Sequence, residues 1–363
     1  MRRRIVAEVE ANESSFAPRT EADMKKLRVI QWYTGVIAKH QIRLVHSHPS
    51  MELVGGYVHH AEKSGLDLGE IAGIAPLGVK ATNDLDAILA LDADCVLYNP
   101  PTERYDEIVK ILASGKDVIS IMAGWNPKKR SVWPVLREAC EKGGSSLYGT
   151  GLNPGLSYEL AFLASSICHE VSSIDIKTCE PQDSLSPIFL SAFGFGKTEA
   201  ELSSGPAGAY GLFARSLQDV TDLLCEELGL PHDGRGFTYE FEPSLRDYDE
   251  KIVVRKGTMA GLLVKAFTSY QGKPVATIEL RFLLGKEYVR PEWLADGPSQ
   301  GWCEVDVRGT PGSRITHEIV AENDLVGTYA TGTRAVNAIP FVVAAKPGLL
   351  TPLDLPLGRM LRR

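Results

Sequence analysis

Cysteine is sparse in this chain: six in 363 residues, at positions 95, 140, 168, 179, 225 and 303, with no C-x-x-C pair. That spacing excludes a zinc ribbon and a disulfide framework, and reads as reduced thiols in a cytoplasmic protein. No run of 18 apolar residues occurs, so no membrane-spanning helix is expected. The eight histidines contain no H-E-x-x-H, so no metal is expected, and nucleophilic catalysis is not expected either. Excess positive charge is also missing. A formal net charge of −7 argues against nucleic acid or an anionic membrane as a partner, while leaving room for a local phosphate site. Residues 1–25 open on Met1-Arg2-Arg3-Arg4 and lack the apolar core of a secretory signal; they read as a flexible N-terminal extension.

What is present is a regular alternation of apolar runs and amphipathic stretches. Leu27 to Trp32 reads as a buried strand, Thr34-Gly35 as a tight turn, and a helix opens at Val36 and ends at His48-Pro49-Ser50. Further strands are predicted over 51–59, 78–82, 94–98, 117–121 and 146–148, with helices over 65–72, 85–91, 104–114 and 132–142 between them. Strands and helices alternating at this spacing give right-handed crossovers and a doubly wound parallel sheet, hence an α/β, Rossmann-type first domain over 26–152. Beyond residue 150 the pattern changes. A helix is expected over 154–168, a strand over 173–178, a long Ser-, Pro- and Gly-rich stretch over 180–211 and a helix over 207–228. Strands follow within 251–282 and at 302–307 and 313–320. Strands joined by turns describe a largely antiparallel sheet in an α+β second domain over 153–328. An apolar helix over 330–345, interrupted by Pro340, belongs to a C-terminal segment over 329–363.

Four places carry the polar residues for a cofactor or substrate. The first is the turn: Thr34, Gly35, Val36 and Ile37 would offer free backbone N–H groups and a positive dipole end to a phosphate. Its G-x-G-x-x-G positions read Tyr33, Gly35 and Ala38, one glycine of three. The tip of the second strand lacks the acid that bonds a ribose 2′-OH in NAD enzymes. His59, His60 and Lys63 stand there instead, suiting a 2′-phosphate, or simply forming a solvated loop. The second place is Asn99-Pro100 at the end of the fourth strand, facing the ligand crevice. Glu103 beyond them is either a proton-transfer carboxylate at its mouth or an acid favouring a helix start capped by Thr102. The third is Asn153, held extended before Pro154 in a glycine-rich turn that could be an interdomain hinge. The fourth is Glu180 with Asp183, either facing the crevice or lying on a surface loop.

The stretches 29–35, 57–70, 94–98 and 149–155 together resemble the dihydrodipicolinate-reductase-like family of NAD(P)-binding proteins. Within it they are most similar to the branch of native amine dehydrogenases and 2,4-diaminopentanoate dehydrogenase, as are 331–340 and 346–349. The resemblance implies an NADP- or NAD-binding first domain and a second domain for substrate and homodimer contacts. It also implies a final helix returning to the first domain, with Asn337 among the cofactor contacts. It further implies reductive amination of a small ketone or aldehyde with ammonia, with a cleft glutamate handling protons; Glu103 best suits that role. Phe193, Phe195 and Tyr210 are then expected to shape an apolar substrate pocket with Glu180. Two departures stand out. Tyr33 puts a bulky ring where the chain turns beside the cofactor, and Cys179-Glu180-Pro181 replaces the basic motif of dihydrodipicolinate reductases. A carbonyl or cyclic-imine reductase that needs no ammonia, and a non-catalytic NAD(P)-binding sensor, are the competing readings.

Overall fold

The computed structural model describes residues 25–126, 128, 130–181, 186–204, 208–294, 301–320 and 326–361. The N-terminal extension, apart from residue 25, and Asp183 therefore lie outside the described residues. A parallel layer comes first in the chain: β1 (Leu27–Trp32), α1 (Val36–Ser47), β2 (Met51–Tyr57), α2 (Leu68–Ala72), β3 (Ala81–Thr82), α3 (Leu85–Leu89), β4 (Cys95–Tyr98), α4 (Tyr105–Ala113), β5 (Asp117–Ser120), α5 (Trp133–Gly143) and β6 (Ser146–Gly149). Near the C-terminus, β13 (Gly348–Leu350) pairs with β6 and completes a seven-stranded sheet in the order β13-β6-β5-β4-β1-β2-β3, every pair parallel. All four residues of β4 are buried, as a central strand covered on both faces requires. Helices α1 and α2 pack on one face through Ile42, Val45, Leu68 and Ala72. On the other face α3, α4 and α5 bury Ile88, Ile108, Ile111, Leu112 and Leu136. The spacing of 108, 111 and 112 is that of one helix face.

The antiparallel layer follows: α6 (Ser157–Ser165), β7 (Glu170–Pro181), α7 (Pro187–Phe193), α8 (Glu199–Ser204), α9 (Gly208–Leu228), β8 (Gly234–Pro243), β9 (Met259–Tyr270), β10 (Lys273–Leu283), β11 (Trp302–Thr310) and β12 (Ser313–Glu318). The order is β12-β11-β7-β10-β9-β8, with only β7–β10 parallel. Alternate residues of β9 and β10 point to opposite faces: Leu262, Val264 and Ala266 lie opposite Phe282, Leu280 and Ile278 and join the core. On the other face Lys265 pairs with Glu279 at 2.8 Å.

Four elements differ from the sequence expectation. The Ser-, Pro- and Gly-rich stretch over 180–211, for which no element was named, holds α7 and α8; Ser186 caps α7 through the Phe189 N–H, with Pro187 in its first turn. Strand β8 is an edge strand paired only with β9, and most of its residues are exposed, so it lacks a strong buried alternation. β13 is three residues long, too short to show a period of its own.

The C-terminal helix α10 (Val326–Val343) returns to the parallel layer and packs on α1. His40 stacks on Tyr329 with ring centroids 4.3 Å apart and meets the Thr333 hydroxyl at 3.0 Å. Gly332 permits the close approach, because a Cβ there would stand 3.2 Å from both Ile37 and His40. No helix among the described residues is long and apolar enough to cross a membrane.

Candidate active site

In the parallel sheet the strand order reverses between β1 and β4, and a ligand crevice opens beyond the carboxyl ends of such strands. Gly35 precedes α1 with extended backbone and no side-chain cap, and the first turn of α1 holds no acid. The positive end of α1 is therefore neutralised by none of its own side chains. Thr34 is buried, Gly35 and Val36 are exposed, Ile37 is half-buried, and a Cβ on Gly35 would meet nothing within 4 Å. At the end of β4, the Asn99 amide donates to Gln41 of α1, while Asn99 Oδ1 and Gln41 Nε2 are buried with no hydrogen-bond partner among the described residues. Pro100 is buried beside Asn99. An open phosphate turn and orphaned amide atoms at the strand ends fit a dinucleotide.

At the tip of β2, His59 and His60 are exposed, with ring centroids 5.5 Å apart, and Lys63 Nζ reaches within 3.5 Å of Thr34 Oγ1. The carboxylate of Asp67 is consumed by the backbone N–H groups of Gly69, Leu77 and Gly78. Those bonds hold its pKa below the ordinary range, Leu77 contributing most. Asp67 is thus spent on its own loop and unavailable to a ribose.

Glu103 does not lie in the first turn of a helix. Helix α4 begins at Tyr105 with Arg104 as its uncapped entry, so Thr102 caps nothing and Glu103 is free to turn aside. Its side chain, 12% exposed, faces Ser216 of α9. Ser216 Oγ donates to Oε1 at 2.8 Å, and Arg130, from the β5–α5 connection, donates to the same oxygen at 3.4 Å. Oε2 has no hydrogen bond to a described residue. Arg130 also pairs with Asp219 of α9 at 2.8 Å, and Asn126 donates to the Asp219 carbonyl at 3.2 Å. Burial lifts the Asp219 carboxyl to about 6, against the pull of Arg130.

The remaining expected residues are scattered. Asn153 is extended, as its place before Pro154 requires, and its amide donates to Glu180 at the end of β7. Phe193, Phe195 and Tyr210 are buried in the core of the antiparallel layer, with Phe193 stacked on Phe189 at 4.3 Å. They were expected to shape an apolar substrate pocket, and among the described residues they pack against other core side chains. One turn before Ser216, Phe213 lies in the same aromatic cluster with Phe282. Asn337 lies on the flank of α10 and lines a cavity of about 390 Å³ with Tyr148, Glu159, Arg334, Phe341 and the 352–360 segment. That cavity includes neither Glu103 nor any residue of α1. Thr150, which follows the carboxyl end of β6, lines the same cavity. The sequence reading missed Ser216, Arg130 and Asp219. They come from a helix and a connection that share no motif with Glu103, and only tertiary contact joins them.

Comparison with known proteins fits this geometry. The 2,4-diaminopentanoate dehydrogenase C-terminal domain family matches residues 159–363, and the dihydrodipicolinate reductase N-terminal family matches residues 29–142. The chain belongs to the 2,4-diaminopentanoate dehydrogenase family. An amine dehydrogenase of Streptomyces virginiae is 28% identical over 93% of this chain and 99% of its own length. The 2,4-diaminopentanoate dehydrogenase of Acetoanaerobium sticklandii is 29% identical over 76% of this chain and 77% of its own. The structure of an amine dehydrogenase from Mycobacterium smegmatis superposes with a TM-score of 0.74 at 21% identity, covering 93% of this chain and 97% of the other, and shares its fold. As a member of this family, the chain is an NAD(P)-dependent oxidoreductase.

Proposed function

We propose that this enzyme is an amine dehydrogenase, interconverting a small ketone or aldehyde plus ammonia with the corresponding primary amine. The observation that carries the reading is the half-anchored carboxylate of Glu103 between the two layers, one oxygen held and the other with no hydrogen bond to a described residue. Thr34 to Ile37 would seat the pyrophosphate, and Asn99 with its orphaned carbonyl oxygen would orient the nicotinamide end. When bound, the nicotinamide supplies or accepts a hydride at the carbon of the amine–imine pair. Glu103 Oε2 would take a proton from ammonium, freeing the nitrogen lone pair to attack the carbonyl. It would return a proton to the carbinolamine hydroxyl as water leaves. Ser216 and Arg130 fix the carboxylate in one orientation for both transfers. Lys63 near Thr34, with the nearby Asp67 already spent, favours a cofactor bearing a 2′-phosphate, so NADPH binds more tightly than NADH.

The test is an assay of cofactor oxidation on a panel of ketones and aldehydes, with and without ammonium, using NADPH and NADH in turn. Amine formed only with ammonium supports the reading. Alcohol formed without ammonium replaces it with a carbonyl reductase, and tight binding without turnover replaces it with a sensor. Glu103→Gln is expected to lower kcat by about a hundredfold or more, the usual worth of a positioned acid–base group, with cofactor affinity nearly unchanged. Unchanged turnover in that variant moves the proton-transfer role elsewhere.

A further inference from the structure

Tyr33 stands at the first of the three glycine positions of the nucleotide turn, in a left-handed conformation with φ of +66°. Among the described residues only one other non-glycine residue, Gln271, has a positive φ, and it lies in the β9–β10 turn. Side chains avoid this region because Cβ crowds the following carbonyl. A bulky ring there persists only where the surroundings over-determine it.

The surroundings are built around Glu107 of α4, a buried carboxylate on which donors converge. Trp32 Nε1 donates to Oε2 at 3.2 Å, and Tyr98 OH donates to Oε2 at 2.7 Å. Tyr33 OH lies 3.0 Å from Oε1, and Arg104 Nε lies 3.2 Å from the same oxygen. Arg104 also donates to the Tyr33 hydroxyl at 3.1 Å. Burial, then the negative charge of Glu107, pushes the Tyr33 phenol well above its ordinary pKa, so it stays a donor. Burial likewise raises Tyr98. The Tyr33 ring packs edge-on to Tyr57 and Tyr98, on the α4 side of the sheet, opposite the face that α1 covers.

We propose that Glu107 is a positioning residue for the cofactor, replacing the missing glycine by clamping Tyr33 beneath the turn. The carboxylate fixes the left-handed backbone at residue 33 and draws the ring out of the path of the pyrophosphate, so that Gly35 and the first N–H groups of α1 stay open. A carboxylate is needed because four donors meet there and it accepts on both oxygens. An amide turns an NH₂ toward at least one of them. The inference rests on the reading that the pyrophosphate sits on the Thr34–Val36 turn.

The experiment is NADPH titration of the full chain by calorimetry, in a double-mutant cycle, with thermal unfolding recorded without cofactor. Glu107→Gln is expected to raise Kd by about tenfold or more, and Tyr33→Phe by about threefold or more. Tyr33→Gly, which needs no clamp, keeps Kd within about threefold of the parent, and Glu107→Gln added to it changes Kd by less than about threefold. An equal rise in both backgrounds overturns the clamp, as does parental affinity in Glu107→Gln. Should Glu107→Gln not fold, Tyr33→Phe carries the test, and parental affinity in that variant overturns it. Gly35→Asp tests the underlying reading separately. It adds an N-cap acceptor at an open position, so it preserves the fold, but sets a negative charge against the pyrophosphate and raises Kd by about a hundredfold or more. Unchanged Kd in Gly35→Asp removes the cofactor from this turn, whereas lost binding there with an additive cycle removes only the clamp.

Discussion

Asp117 opens β5 with its carboxylate partly withdrawn from water, where Oδ1 accepts the Ser146 N–H at 2.6 Å. Burial lifts its pKa from 3.8 to about 6, outweighing that hydrogen bond, with nearby Asp94 adding to the rise. Between about pH 4 and pH 6 the folded chain therefore holds a proton that the unfolded chain has lost. Stability falls as pH rises through that window and stays lower above it. Asp117→Asn keeps an acceptor for Ser146 and carries no charge. Its Tm advantage over the parent should grow from pH 4 to pH 6 and then level off; an advantage flat across pH 4 to 7 contradicts this. At the same scale, Glu103 was legible as a candidate from its place after β4. What removed its helix-start reading was the start of α4 at Tyr105, which leaves it outside the helix. Tyr33 was legible as an anomaly, but the direction of its ring was not, because its partner Glu107 lies 74 residues further on.

Close approach between elements governs the glycine-rich exit from β6. A Cβ on Gly149 would meet the Gly124 carbonyl carbon at 2.6 Å, the Ala123 oxygen at 2.7 Å and the Trp125 nitrogen at 2.7 Å. All three are backbone atoms of the chain leaving β5, so no side chain can swing away. Gly149→Ala should cost about 1–3 kcal/mol in urea unfolding, the usual range for overpacking; a loss within error means that this chain segment relaxes freely. The elements themselves were legible where burial is one-sided or complete, as in α4 and β4. They were illegible where length or exposure erased the pattern, as in β13 and the edge strand β8.

The two layers are tied by charge as well as by packing. Arg130, from the parallel layer, sits between Glu103 and Asp219, and Asp219 belongs to the antiparallel layer. Removing the cation leaves two largely buried carboxylates facing each other. Arg130→Met should therefore lower unfolding stability by roughly 3–5 kcal/mol near pH 7.5, the usual cost of breaking a buried pair. Below about pH 6 the Asp219 carboxyl takes up a proton, and without Arg130 it does so more readily, so the loss should shrink at pH 5. Urea unfolding at the two pH values measures it. An equal loss at both assigns Arg130 a packing role alone.

The sequence by itself determined the two-layer fold, because alternating apolar runs must be buried in parallel crossovers and turn-joined strands in an antiparallel sheet. It also determined the place of the turn between β1 and α1, since turn and helix start are local. Only the tertiary structure decided which residues share a site. Ser216, Arg130 and Asp219 reach Glu103, and Glu107 reaches Tyr33, through contacts between elements far apart in the chain. Phe193, Phe195 and Tyr210 pack in the core, because burial of an aromatic ring is favoured wherever a packed surface is available. Local pattern fixes elements, whereas packing chooses neighbours, and in this enzyme the candidate chemistry lies with the neighbours.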